Sequence, residues 1–180
     1  KGGITVNTAD SVATAFHEAG HVWAHVTRGY RLRSVTLRPR TSGVLGRTVS
    51  GQLLWRSQDD YVLAAGPVAE TEYFARAGLL TLCSWEDALS ECLYLDGGVS
   101  DRNKMLTTTY VEPGPGLDGL RTSITADWRR ITVLAEELLA ATTLSGDSAA
   151  ATLQAGRRLT KPLPSTEDGC PIWPRAAQSR

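Results

Sequence analysis

The order of apolar and polar positions reads as a mainly helical chain interrupted by two short strands. Residues 8–29 form the first helix, with Phe16, Val22 and Trp23 as apolar bulk, Thr8, Asp10 or Ser11 as N-cap and Gly29 as the stop. Strands follow at 33–38 and 44–50, joined by a turn-forming stretch at 39–43. A helix over 57–77 is expected to bend at Gly66-Pro67, because proline lacks the N–H and collides with the preceding turn. Shorter helices are expected at 85–95 and 101–110, and the Pro and Gly residues of 112–116 mark an exposed loop. A longer helix at 120–144 carries Ile131, Leu134, Ala135, Leu138 and Leu139 as a core-facing stripe. Beyond Leu159 the tail holds Pro162, Pro164, Pro171, Pro174 and Trp173, the composition of an extended arm. The expected fold class is therefore α+β, mainly α-helical, with a domain over 1–158 and a Pro-rich tail over 159–180.

Composition agrees with one globular unit. A chain of 180 residues with 42% hydrophobic content buries about 70% of its unfolded surface. Its 19 basic and 19 acidic residues cancel, so no long-range field points to nucleic acid or an anionic membrane. The longest apolar run, near 61–69, is interrupted by Gly66 and Pro67 and falls short of the roughly 20 residues that span a bilayer. No signal-peptide pattern is present, and Cys83, Cys92 and Cys170 are odd in number without C-x-x-C spacing. They read as reduced thiols, which suggests a cytoplasmic protein.

The chemistry concentrates in His17-Glu18-Ala19-Gly20-His21, an H-E-x-x-H pattern inside the first helix. Four residues advance a helix by about 400°, so His17 and His21 share a face and can meet one metal ion. Glu18 projects to the side, where it can take a proton from water as general base. His25 is a further turn along, about 12 Å from His17 at roughly 1.5 Å per residue, and reads as a packing histidine. A catalytic zinc site needs a third protein ligand. Ala24 and Thr27 stand where the metzincin pattern requires Gly and His, which leaves carboxylates. Two segments offer one, 66–70 with Glu70 and 97–101 with Asp101, and spacing alone does not choose between them.

The order of motifs resembles the peptidase domain of the FtsH family, membrane-anchored AAA+ zinc proteases. After the first motif come Val35-Thr36-Leu37-Arg38-Pro39-Arg40, similar to V-T-I-I-P-R, and Leu45-Gly46-Arg47-Thr48, similar to L-G-x-T. Ala65-Gly66-Pro67-Val68-Ala69-Glu70 resembles G-G-R-A-A-E without its arginine, and Gly98-Val99-Ser100-Asp101 resembles G-A-S-N-D. Residues 134–146 are similar to the family's final L-A-x-x-L-L-x-x-E-T-L helix, with Thr142 in place of the glutamate. The resemblance covers roughly 10–155 and departs from the family over 78–97.

The resemblance implies a zincin-like fold with a small sheet beside the metal-binding helix, and one Zn2+ held by His17, His21 and Asp101 with Glu18 as base. Glu70 becomes a candidate to orient a ligand histidine, its plain alternative being a solvated helix residue. Asp96 is the substitute if the alignment slips. The strand at Val35, Thr36 and Leu37 is a candidate to hold an extended peptide by its main chain, with Pro39 compatible with an edge position, its plain alternative being an ordinary sheet strand. No G-x-x-x-x-G-K-[ST] sequence occurs, so the expected activity is ATP-independent hydrolysis of peptides or unfolded protein. A homo-oligomer is open by analogy with the family. The alternatives are a zinc hydrolase of one peptide or amide-containing small molecule and a non-catalytic interaction module; a retained Glu18 speaks against the module.

Overall fold

The computed structural model describes residues 8–38, 46–54, 56–80, 83–94, 99–105, 109–110 and 114–156. The expected turn at 39–43, Asp96, Cys170 and the tail at 159–180 lie outside the described residues. In chain order the elements are α1 (Thr8–Thr27), β1 (Leu32–Thr36), β2 (Arg47–Ser50), α2 (Arg56–Arg76), α3 (Trp85–Tyr94), α4 (Val99–Lys104), α5 (Pro115–Ala126), α6 (Trp128–Ala141), β3 (Thr143–Ser145) and α7 (Gly146–Ala155). This is an α+β arrangement, mainly helical, with one three-stranded antiparallel sheet.

The packing of α1 on α2 frames the molecule. At their closest approach a Cβ on Gly20 would collide with the Ala65 carbonyl and lie 2.7 Å from the Ala69 Cβ, so only glycine lets the two backbones come this near. Phe16 is sandwiched between Tyr73 of α2, with ring centroids 4.6 Å apart, and Trp128 of α6, at 5.1 Å. Val22, Leu89, Leu120, Ile124, Ile131, Leu134, Leu138 and Leu153 complete a continuous buried core. α2 runs through Pro67 as one helix, and because proline has no N–H, the Leu63 carbonyl loses its partner there.

Two differences from the sequence expectation concern the C-terminal half. The helix expected at 120–144 is two helices and a strand. Asp127 separates α5 from α6, its carboxylate accepting from Trp23 Nε1 at 2.9 Å and Arg130 Nη1 at 2.6 Å. A tertiary partner on α1 thus decides the break, which helical periodicity does not register. At the other end Thr142 takes a left-handed conformation (φ 63°) and turns the chain into β3. Pro115 starts α5 at a position where a missing N–H costs nothing, five residues before the expected start. α4 is shorter than the expected 101–110 and begins two residues earlier.

The sheet order is β2-β1-β3, with Val35 opposite Thr48 on one side and Leu144 on the other. This corrects the reading of Val35, Thr36 and Leu37 as an edge that holds peptide. Val35 and Thr36 are paired on both sides, and the Leu37 N–H donates to the Thr142 carbonyl at 2.8 Å, so the main-chain groups are already used. The unforeseen β3 occupies the place left for a substrate. Among the described strands, β2 and β3 form the edges.

Candidate metal centre

α1 presents His17 and His21 one turn apart, and α4 brings Asp101 against them. All three are buried, and one ligand atom from each lies within 4.8 Å of the others. His17 Nε2 is 3.1 Å from His21 Nε2 and 3.0 Å from Asp101 Oδ2, which is 3.2 Å from His21 Nε2. A tetrahedral ion with bonds of about 2.0–2.1 Å separates its ligand atoms by about 3.3 Å. The three donors form a triangle of that size.

The outer nitrogens fix the chemistry of the inner ones. The Val62 carbonyl can only accept, so His21 Nδ1 donates to it at 2.7 Å. Glu70 Oε2 accepts from His17 Nδ1 at 2.8 Å. With both Nδ1 atoms protonated, each neutral ring turns a lone pair inward, toward the other and toward a carboxylate oxygen. Three lone-pair atoms at these distances repel unless a cation lies among them, and the residues therefore fit a metal ion. Without one, a proton on His17 is the available cation. Burial pulls the His17 pKa down, but hydrogen bonds to Asp101 and Glu70 and their charges outweigh it and raise it well above the usual 6.5. Burial likewise pushes Asp101 up, while the charge of His21 and the bonds from both histidines hold it far below the usual carboxylate range.

α2 forms the floor of the site. A Cβ on Gly66 would sit 2.5 Å from His21 Cε1 and Nε2 and 2.8 Å from His17 Nε2, so this glycine makes room for both imidazoles. Val62 and Glu70, one turn to either side of Gly66, hold the two rings from the same helix. Lys104 Nζ stands 3.6 Å from Asp101 Oδ1 at the exposed end of α4.

Glu18 is buried beside the triad without belonging to it. Its Oε2 accepts from Thr48 Oγ1 on β2 at 2.7 Å. Burial raises its pKa, opposed by the charges of His21 and His17 and by the Thr48 bond. His25 also lies outside the triad. It is buried, packs its ring edge-on to Tyr30 at 6.3 Å, and is held to a pKa of about 4 by burial and by His21.

Structure thus brings His17, His21 and Asp101 together, places Glu70 on His17, and leaves Val35 and Thr36 inside the sheet with Leu37 bonded to Thr142 just past the end of β1. Sequence reasoning missed Gly66, Val62 and Thr48 as parts of the site. Gly66 and Thr48 stand inside the quoted segments 65–70 and 45–48, so the signal was present. A main-chain carbonyl such as that of Val62 leaves no mark in a sequence. Among the described residues no helix is long and apolar enough to cross a membrane. No protein-family model matches this chain, and no curated protein matches it.

Proposed function

We propose that the protein is a zinc-dependent metallopeptidase with an FtsH-type peptidase fold, hydrolysing peptides or unfolded segments of protein without ATP. The inward-turned lone pairs of His17 and His21 against Asp101, with the buried Glu18 next to them, are the observation that carries this reading. Two imidazoles and one carboxylate make the ligand set of a catalytic zinc site, and a site that only held structure together would have no use for a base.

His17, His21 and Asp101 would hold the zinc, which when bound would supply Lewis acidity toward a substrate carbonyl and a water. Glu18 accepts that water's proton as the oxygen bonds to the carbonyl carbon. The same carboxyl then passes the proton to the departing nitrogen as the C–N bond breaks, so Glu18 ends as it began. Burial raises its pKa, which favours the carboxyl's holding the proton between the two transfers. Glu70 and the Val62 carbonyl keep the imidazoles in the tautomer this requires. With β1 enclosed, β2 is the strand beside Glu18 on which an extended substrate can add its main chain.

Metal analysis of the purified protein, with cleavage of a quenched-fluorescence library of unstructured peptides, tests the proposal. The expected result is about one zinc per chain, cleavage by the wild type, and loss of cleavage with zinc retained in Glu18→Gln. Zinc binding without cleavage by the wild type would leave the interaction-module reading in its place.

A further inference from the structure

We propose that Thr48 is a positioning residue for Glu18, deciding which carboxylate oxygen is tied down and which is left to take a proton. Its catalytic consequence rests on the peptidase reading above, but its geometry does not. The Thr48 hydroxyl stands 2.7 Å from Glu18 Oε2 and 3.5 Å from the Glu18 main-chain oxygen. An ionised carboxylate only accepts, so the hydroxyl is the donor, and bonds of this charged kind are stronger than neutral ones. Thr48 is itself fixed by pairing opposite Val35 in the sheet. The base on α1 is therefore oriented by a residue thirty positions away on a different element.

The other oxygen is shaped by Gly46, two residues earlier and just ahead of β2. Gly46 has φ +78°, and a Cβ there would lie 2.5 Å from Glu18 Oε1 and 2.9 Å from its Cγ. Oε2 is held by a hydroxyl, while Oε1 borders a space that only glycine leaves. A glutamate side chain has three rotatable bonds, and a base that wanders among rotamers spends little time in the productive one. The two contacts from 46–48 remove that freedom, and they give the L-G-x-T segment a chemical purpose beyond forming a turn.

Two measurements test the assignment. On the best-cleaved peptide of the library, Thr48→Val should lose roughly 10- to 100-fold in kcat with KM and zinc content unchanged, while Thr48→Ser, which keeps the hydroxyl, stays near wild type. A rise in KM at unchanged kcat would overturn the proposal. The second measurement uses chelator-treated protein and no substrate. Thr48→Val should lower the Tm of the wild type but leave that of Glu18→Ala unchanged, because the bond is already gone there. Equal shifts in both backgrounds would overturn the proposal. Should Thr48→Val not fold, Thr48→Ala takes its place in both experiments. If no peptide is cleaved by the wild type, the peptidase reading fails while the thermal cycle still decides the role of Thr48.

Discussion

Glu70 Oε2 accepts a hydrogen bond from His17 Nδ1 at 2.8 Å, joining residues 53 positions apart on the two helices that frame the core. Both side chains are buried, so no water takes the place of either partner cheaply. The bond sets the inward lone pair of His17 and makes that nitrogen more basic.

Removing the carboxylate should therefore weaken metal binding without removing a ligand. Glu70→Ala is expected to lose about 10- to 100-fold in zinc affinity, measured by competition with a fluorescent chelator. An unchanged affinity would show that His17 is oriented by packing alone.

Gly66→Ala should be far more damaging than its size suggests. The added methyl would lie 2.5 Å from the His21 ring, so the imidazoles must move, and zinc binding should be lost together with several degrees of Tm. Gly119, on an exposed turn of α5 with nothing within 4 Å of its Cβ position, is the control. There the same substitution should stabilise by about 0.5–1 kcal/mol, since alanine is the better helix former. Zinc retained in Gly66→Ala would contradict the placement of α2 beneath the site.

The triad should make stability depend on pH in opposite ways with and without metal. The raised pKa of His17 gives the metal-free protein a contribution that is complete below 6.5 and lost as pH rises through the folded value. The lowered pKa of Asp101 gives one that is present above 3.8 and lost as pH falls. The metal-free triad thus contributes most between 3.8 and 6.5, the interval in which both groups are charged in the unfolded chain as well as in the folded one. A metal ion must displace the His17 proton, so its own stabilisation grows as pH rises. Tm measured between about pH 5 and pH 9 with zinc and with chelator should give curves that separate toward high pH. A constant gap would mean that no proton is displaced.

Asp127 is expected to matter for stability rather than for metal. Its carboxylate accepts from Trp23 Nε1 and Arg130, and Arg130 in turn donates through Nε to the Leu153 carbonyl, linking α1, α6 and α7. Asp127→Ala leaves a buried indole N–H and a largely buried guanidinium short of a partner, a cost of about 1–3 kcal/mol. Urea unfolding should show the loss, with zinc stoichiometry unchanged.

What the sequence revealed follows from the range of the forces involved. α1, α2 and α3 were readable within a residue or two of their expected ends, because their apolar positions are local; the N-cap candidates Thr8, Asp10 and Ser11 all fall inside α1. His17, Glu18 and His21 were readable for the same reason, lying within one turn of one helix. Asp101 was not chosen by spacing, since 84 residues separate it from His17 and only the resemblance favoured it over the other carboxylate. The Asp127 break, the left-handed Thr142 and β3 escaped because each depends on a partner elsewhere: Trp23 for the first, β1 for the others. Leaving β1 open between an exposed edge and an ordinary sheet strand was the consequence of not seeing β3.

α4 is only six residues long, too short to hold helical shape by itself. It carries Asp101 near its middle, with the buried Met105 just beyond its end. An ion held at the triad would therefore act as a clasp, fastening a marginal helix to α1. Withdrawing the ion would loosen the clasp before it disturbs the α1 and α2 pair, which the close approach at Gly20 and the bonds from His17 to Glu70 and from His21 to Val62 hold together. Local opening of α4, visible as faster amide hydrogen exchange there than in α1, would then report occupancy of the site, so that the state of the metal can be read from the backbone without any substrate.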